Sequence, residues 1–135
     1  MPISVSLPLR LVSEANSRDH WAVKAKRARE QRSVVRMRLG AMFGEVAGKL
    51  AGVPWLITIT RVSPGTLDAH DNLPRSCKAV VDGLCDALGV KDNDPRVSFR
   101  YAQEKVKRAT KGRVPANKYA VRILIECADQ KEENK

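Results

Sequence analysis

Residues 55–89, WLITITRVSPGTLDAHDNLPRSCKAVVDGLCDALG, decide the fold, because their hydrophobic period changes once and turn chemistry marks the change. Trp55 to Val62 is β-branched and alternating, which predicts a strand. Ser63-Pro64-Gly65 breaks it, and a loop carrying Asp68 and Asp71 follows. Leu73, Cys77, Val80, Val81, Leu84 and Leu88 then recur at steps of mostly three and four, the spacing of one helical face. Asn72 or Asp71 can cap this helix, Pro74 suits its first turn, and Gly89 suits its C-terminal end.

Upstream, Ile3, Val5, Leu7, Leu9 and Leu11 alternate with mostly polar neighbours, and Pro8 places that strand at an edge or on a non-bonded position. Asn16-Ser17 has the chemistry of a helix N-cap, with Asp19 in the first turn. From there Trp21, Ala25, Ala28, Arg32, Val35, Leu39, Met42 and Val46 form an amphipathic stripe that Arg32 interrupts. This helix is expected to reach Gly44 to Gly48, with Gly52-Val53-Pro54 beyond it. Downstream, Val97–Val106 and Tyr119–Cys127 alternate again as two strands. The expected order is β-α-β-α-β-β: one α/β domain over residues 1–127, with a mixed sheet and two main helices. Residues 128–135 (ADQKEENK) form a flexible polar tail.

A chain of 135 residues has room for one core and not for a nucleotide-binding module beside a second domain, so no nucleotide cofactor is expected. The 25 Lys+Arg against 15 Asp+Glu leave a net charge of +10, which points to a polyanionic partner. Cys77, Cys85 and Cys127 are odd in number and lie in apolar patterns, so they read as reduced core thiols. No apolar run is long enough to span a membrane, and MPISVSLPLR lacks the marks of a signal peptide. The expectation is a soluble, cytoplasmic protein.

The charge is unevenly spread. Residues 18–38 hold eight bases and two acids, and residues 96–122 hold nine bases and one acid. Between them, residues 66–95 hold six aspartates and three bases. Carboxylates repel phosphate, so simple electrostatic binding of nucleic acid does not call for them. Held among bases, they fit a divalent cation that meets the phosphate; helix caps and turn aspartates are the plain alternative. Arg75, Lys78, Asp82 and Asp86 fall within an arc of about 80° on a continuous helix, which also fits a solvated face with internal ion pairs. Asp68 and Asp71 precede that helix, while Asp92 and Asp94 follow it, about 22 Å away for a helix of some 15 residues. A shorter helix, a loop that folds back or a partner subunit would be needed to bring the two groups together.

The run LDAHDNLPRSCKAVVDGLCDALGVKDNDPRV (67–97), with NSRDHW (16–21) upstream, resembles the RusA family of Holliday junction resolvases. That family carries D-x-D-N, then a lysine, then D-x-L on a helix, then D-D-x-x-[IV]. The counterparts here are Asp68, Asp71 and Asn72, then Lys78 with Asp82-Gly83-Leu84, then Asn93-Asp94-Pro95-Arg96-Val97. Asn16, Arg18 and Trp21 are similar to the family's N-terminal Asn and aromatic/basic helix. The spacing departs in places. The first two aspartates are three apart, Arg75 stands four residues after Asp71 where the family has its lysine, and Asn93 replaces the first acid of the later pair. Lys78 keeps the K-x-x-x-D-x-L register.

The resemblance implies a crossover junction endodeoxyribonuclease: a homodimer, of bacterial or phage origin, in which each subunit nicks one strand of a four-way DNA junction with Mg²⁺, or Mn²⁺ in its place. It makes Asp71 and Asp94 the principal metal ligands and Asp68 a third, with Lys78 on the scissile phosphate. Phosphate contacts fall to Asn16, Arg18, Lys24, Lys26, Arg27, Arg75, Lys105, Lys107 and Arg108. His70 and Asp92 are secondary candidates, and His70 reads more readily as a turn residue. Trp21 and Tyr101 can stack on an exposed base, although a core or interface place suits both better. The competing readings are a non-catalytic basic nucleic-acid-binding protein and a metal nuclease for other branched DNA.

Overall fold

The computed structural model describes residues 3–11, 20–50 (side chains as far as 40), 54–65, 67, 72–91, 93–106 and 119–127. Its elements are β1 (Ile3–Leu7), α1 (Trp21–Leu50), β2 (Trp55–Ser63), α2 (Asn72–Ser76), α3 (Lys78–Leu88), β3 (Val97–Lys105) and β4 (Ala120–Cys127). They build a small α/β fold on a four-stranded mixed sheet of order β1-β4-β2-β3. β4 lies between β1 and β2, antiparallel to both, while β2 and β3 run parallel. The parallel pair needs a crossover connection, and α2 with α3 supplies it. β1 is an edge strand that stops at Leu7, just before Pro8, whose missing N–H could not serve a ladder.

Period two selects the core face of the sheet. Val5 and Leu7, Ile57 and Ile59, and Val121, Ile123 and Ile125 all point to it and are buried. Val35 and Leu39 of α1 and Val80, Val81 and Leu84 of α3 close the core over them. Burial of each such aliphatic side chain stabilises the fold by about 1.5–3 kcal/mol. α1 and α3 lie side by side, and Gly83 allows a close approach between them. A Cβ there would stand 2.7 Å from the Arg32 carbonyl oxygen and 2.8 Å from Val35 Cβ.

Three expectations need correction. The second helix is not continuous: it breaks at Cys77, giving three helices. The Ser76 hydroxyl donates to the Leu73 carbonyl at 2.7 Å. That carbonyl is the helical acceptor for Cys77 N–H, which bonds Pro74 O at 3.1 Å instead. Secondly, α1 begins at Trp21, later than a cap at Asn16-Ser17 would place it. His20 does the capping, its Nδ1 accepting the Ala22 N–H at 3.2 Å. Thirdly, the buried line of α1 is Gln31, Val35 and Leu39, and Trp21 is 74% exposed, not part of a core stripe. Arg32, the charged interruption, lies at the margin of this face and reaches Asp86 of α3 at 2.6 and 2.9 Å. Tyr101 does pack against the core. Among the described residues no helix is long and apolar enough to cross a membrane.

Candidate nucleic-acid groove and metal-ligand residues

The carboxyl ends of β2 and β3 form one end of the sheet, the usual place for a site in an open α/β fold. Two inward-facing polar side chains organise it. Arg61, on the core phase of β2 and only 8% exposed, donates through Nε to Leu11 O and through Nη1 to Gly65 O, both at 2.9 Å. Burial pushes its guanidinium down from the ordinary value, and Arg10 acts in the same sense. Gln103, on the core phase of β3, donates to Leu67 O and accepts from Leu67 N–H, both at 2.7 Å. Together they fix Gly65 and Leu67, where the chain enters the aspartate loop, and Asn72 begins α2 where it leaves. Beneath this end lies Cys77, whose thiol is raised to about 11 by burial. Neither Arg61 nor Gln103 figured among the candidate site residues. Their signal was a polar residue on the inward phase of an apolar strand.

The same end of the molecule carries a groove of about 340 Å³ between the first turns of α1 and the α2–α3 junction. One wall is Lys24, Ala25, Ala28 and Gln31; the other is Arg75, Ser76, Lys78, Ala79 and Asp82. The two alanines add little bulk to its lining, and Lys24, Arg75 and Lys78 bring three cations to one acid. Lys78 Nζ donates to Asp82 Oδ1 at 3.2 Å, the internal ion pair of a helix face. The kink at Cys77 moves Arg75 off the face of a single helix, yet it still meets Lys78 at the groove. Lys26 is exposed on α1, pairing loosely with Glu30 at 4.0 Å, and Arg27 is half-buried. Lys105 is exposed at the carboxyl end of β3, opposite Ser63.

Asp94 is elsewhere. Val97 N–H donates to Asp94 O and Trp55 N–H to Arg96 O, which ties residues 94–96 to the amino ends of β3 and β2. Nine-residue β2 puts roughly 27 Å between that end and the groove end. α3, with 11 residues, is shorter than expected, and Val90, Lys91 and Asn93 after it line a pocket with Arg32, Asp82 and Asp86. Both carboxylate oxygens of Asp94 are taken by Arg96: its Nε and backbone N–H on Oδ1 at 3.1 and 2.9 Å, its Nη2 on Oδ2 at 2.9 Å. These bonds hold the carboxyl down at about 2.

The structure therefore brings Lys24, Arg75 and Lys78 together, with Lys105 at the same end, and leaves Asp94 at the other. Asn16, Arg18, Asp68, His70, Asp71, Asp92, Lys107 and Arg108 lie outside the described residues, as does the tail at 128–135. Among the described residues no three of His, Cys, Asp and Glu gather as a metal-holding group. A comparison with protein-family models finds no match to the chain, and a comparison with the curated proteins finds none either.

Proposed function

We propose that the protein is a Mg²⁺-dependent, structure-specific DNA endonuclease of the RusA kind, acting as a homodimer that nicks opposite strands of a four-way junction. The observation that supports it is the groove, where Lys24, Arg75 and Lys78 converge at the end of the sheet from which the aspartate loop departs. Mg²⁺ binds few protein carboxylates and keeps water or phosphate oxygens in its other positions, so Asp68 and Asp71 suffice as one subunit's share. In this reading Asp94 is a second copy's share of the site, since within its own subunit it is tied to the amino ends of β2 and β3. The metal's contribution is a lowered pKa for bound water and neutralisation of charge on the phosphate. Lys78 contacts the scissile phosphate and stabilises the leaving oxygen once it is released from Asp82. Arg75, Lys24 and Lys105 grip neighbouring phosphates, which position the strand and carry no sequence information.

A second reading, a non-catalytic nucleic-acid binder, draws support from the closed Asp94–Arg96 pair, which accounts for Asp94 as a turn residue. One experiment separates the two. Labelled four-way junction, flap and linear duplex are incubated with the protein, with Mg²⁺ or EDTA, beside Asp71→Asn and Asp94→Asn. The endonuclease gives paired symmetric nicks in the junction that EDTA and Asp71→Asn abolish. Nicks in the flap alone would reassign it to other branched DNA. Binding of the junction with no cleavage in Mg²⁺ would sink the proposal.

A further inference from the structure

Trp21, the first residue of α1, is 74% exposed, as is Met37 further along the helix at 71%, but Trp21 is the one placed at the groove end. It precedes Lys24 by three residues and Ala25 by four, so it shares the helix face that forms one wall of the groove, one turn further out. His20 steadies it. The His20 ring is seated by its Nδ1 cap on Ala22 N–H and leans on the indole with centroids 5.4 Å apart. Burying an indole against the core would contribute stability, yet this one is left in solvent one helical turn before Lys24 of the groove wall.

We infer that Trp21 is a stacking platform for an unpaired DNA base, whose flanking phosphates run into the groove along Lys24, Arg75 and Lys78. An aromatic face next to a cationic track is the combination that binds single strands, because every base has a π-face and every linkage a charge. Gln31 and the two alanines leave the groove without a bulky barrier to the backbone. The inference rests on the groove being a nucleic-acid site, and it adds a preference for unpaired strand, the kind exposed where a junction opens. The Lys78–Asp82 pair must loosen for a phosphate to take Lys78, which places Asp82 as a brake on affinity.

The fluorescence of the chain reads this directly, because its other tryptophan, Trp55, is buried at 8% exposure. The full-length protein is titrated in EDTA, where no metal-dependent cleavage can occur, with a thymidine 12-mer, an abasic 12-mer and a 12-base-pair duplex. The expected result is quenching that saturates with the thymidine strand and is weak with the other two. Trp21→Ala should weaken thymidine-strand binding by about fivefold or more, leave abasic binding unchanged, and be partly rescued by Trp21→Phe. Equal quenching by abasic and thymidine strands, or an unchanged affinity in Trp21→Ala, overturns the inference. Tighter binding of a uridine 12-mer than of the thymidine strand overturns its assignment to DNA. Failure here with junction nicking intact removes the stacking role alone, whereas loss of nicking leaves this titration standing.

Discussion

Arg96 closes on Asp94 with three hydrogen bonds, one from its backbone and two from its guanidinium, so a two-residue step in the chain satisfies both oxygens of the carboxylate. Pro95 stands between them and the turn delivers Val97 into β3. The same contacts that make Asp94 a good turn former compete with any metal for its oxygens.

The titration of Asp94 follows from this. Its carboxyl is held at about 2 by Arg96, below the ordinary aspartate value of about 3.9 in an unfolded chain. A depressed folded value means that the pair's contribution is fully present above about pH 4 and drains away as pH falls toward 2. Carboxyl-carbon NMR should place the midpoint near 2 in the native protein, and Arg96→Gln should return it toward 3.9. A midpoint near 3.9 in the unsubstituted protein would show the pair to be open in solution.

Gly83→Ala tests the contact between α1 and α3. Alanine has the better helix propensity by about 1 kcal/mol. Its methyl, however, would meet backbone oxygen at 2.7 Å and Val35 Cβ at 2.8 Å. Neither can step aside without moving a helix, and such overpacking costs about 1–3 kcal/mol. Set against the propensity gain, the net loss is up to about 2 kcal/mol, and thermal unfolding should show a fall in Tm of up to about 8 °C. An unchanged or raised Tm would mean that the helices pack further apart.

Much of this architecture was legible beforehand, and the misses share a cause. The four strands announce themselves by period two, and Pro8 and Gly89 mark ends that the structure keeps. Insertion of β4 between β1 and β2 left no trace in any one segment, because register and neighbour order are properties of pairs of segments. The break at Cys77 turned on one hydroxyl, Ser76, diverting one carbonyl, whereas the apolar spacing runs straight through it. At the candidate site, Lys24, Arg75 and Lys78 were found by charge and motif order. Arg61 and Gln103 lie on strands, where one polar residue on the inward phase is a weaker signal than a run of charge on a loop or helix face. Asp94 is tied to the amino ends of β2 and β3, away from the groove, whereas Asp68 and Asp71 lie outside the described residues.

Arg61 should prove to be an anchor for two loops. Arg61→Met keeps much of the aliphatic volume but leaves the carbonyls of Leu11 and Gly65 without their donor. Loss of two bonds from a charged donor in a buried place costs about 2–4 kcal/mol. In urea the midpoint should fall with the m-value unchanged, and Arg61→Lys should recover only part of the loss, because one ammonium cannot reproduce the planar fork. A loss below about 0.5 kcal/mol in Arg61→Met would remove the anchoring role.

The groove makes a separate prediction about salt. Each phosphate neutralised on a single strand contributes roughly −0.7 to the slope of log K against log salt concentration. Lys24→Ala, Arg75→Ala and Lys78→Ala should each lower the affinity for a 12-mer strand and flatten that slope by up to about 0.7. Asp82→Asn should act oppositely, since it releases Lys78 from its 3.2 Å pairing and removes the acid from the groove wall. Its affinity should rise, with a slope at least as steep as the original. Lys91→Ala provides the control: Lys91 is exposed at the far end of α3, beside Asp86 and Asn93, so its loss should leave the slope almost unaltered. If Lys91→Ala flattens the slope as much as Lys78→Ala, binding is spread over the whole cationic surface and the groove has no privileged part in it.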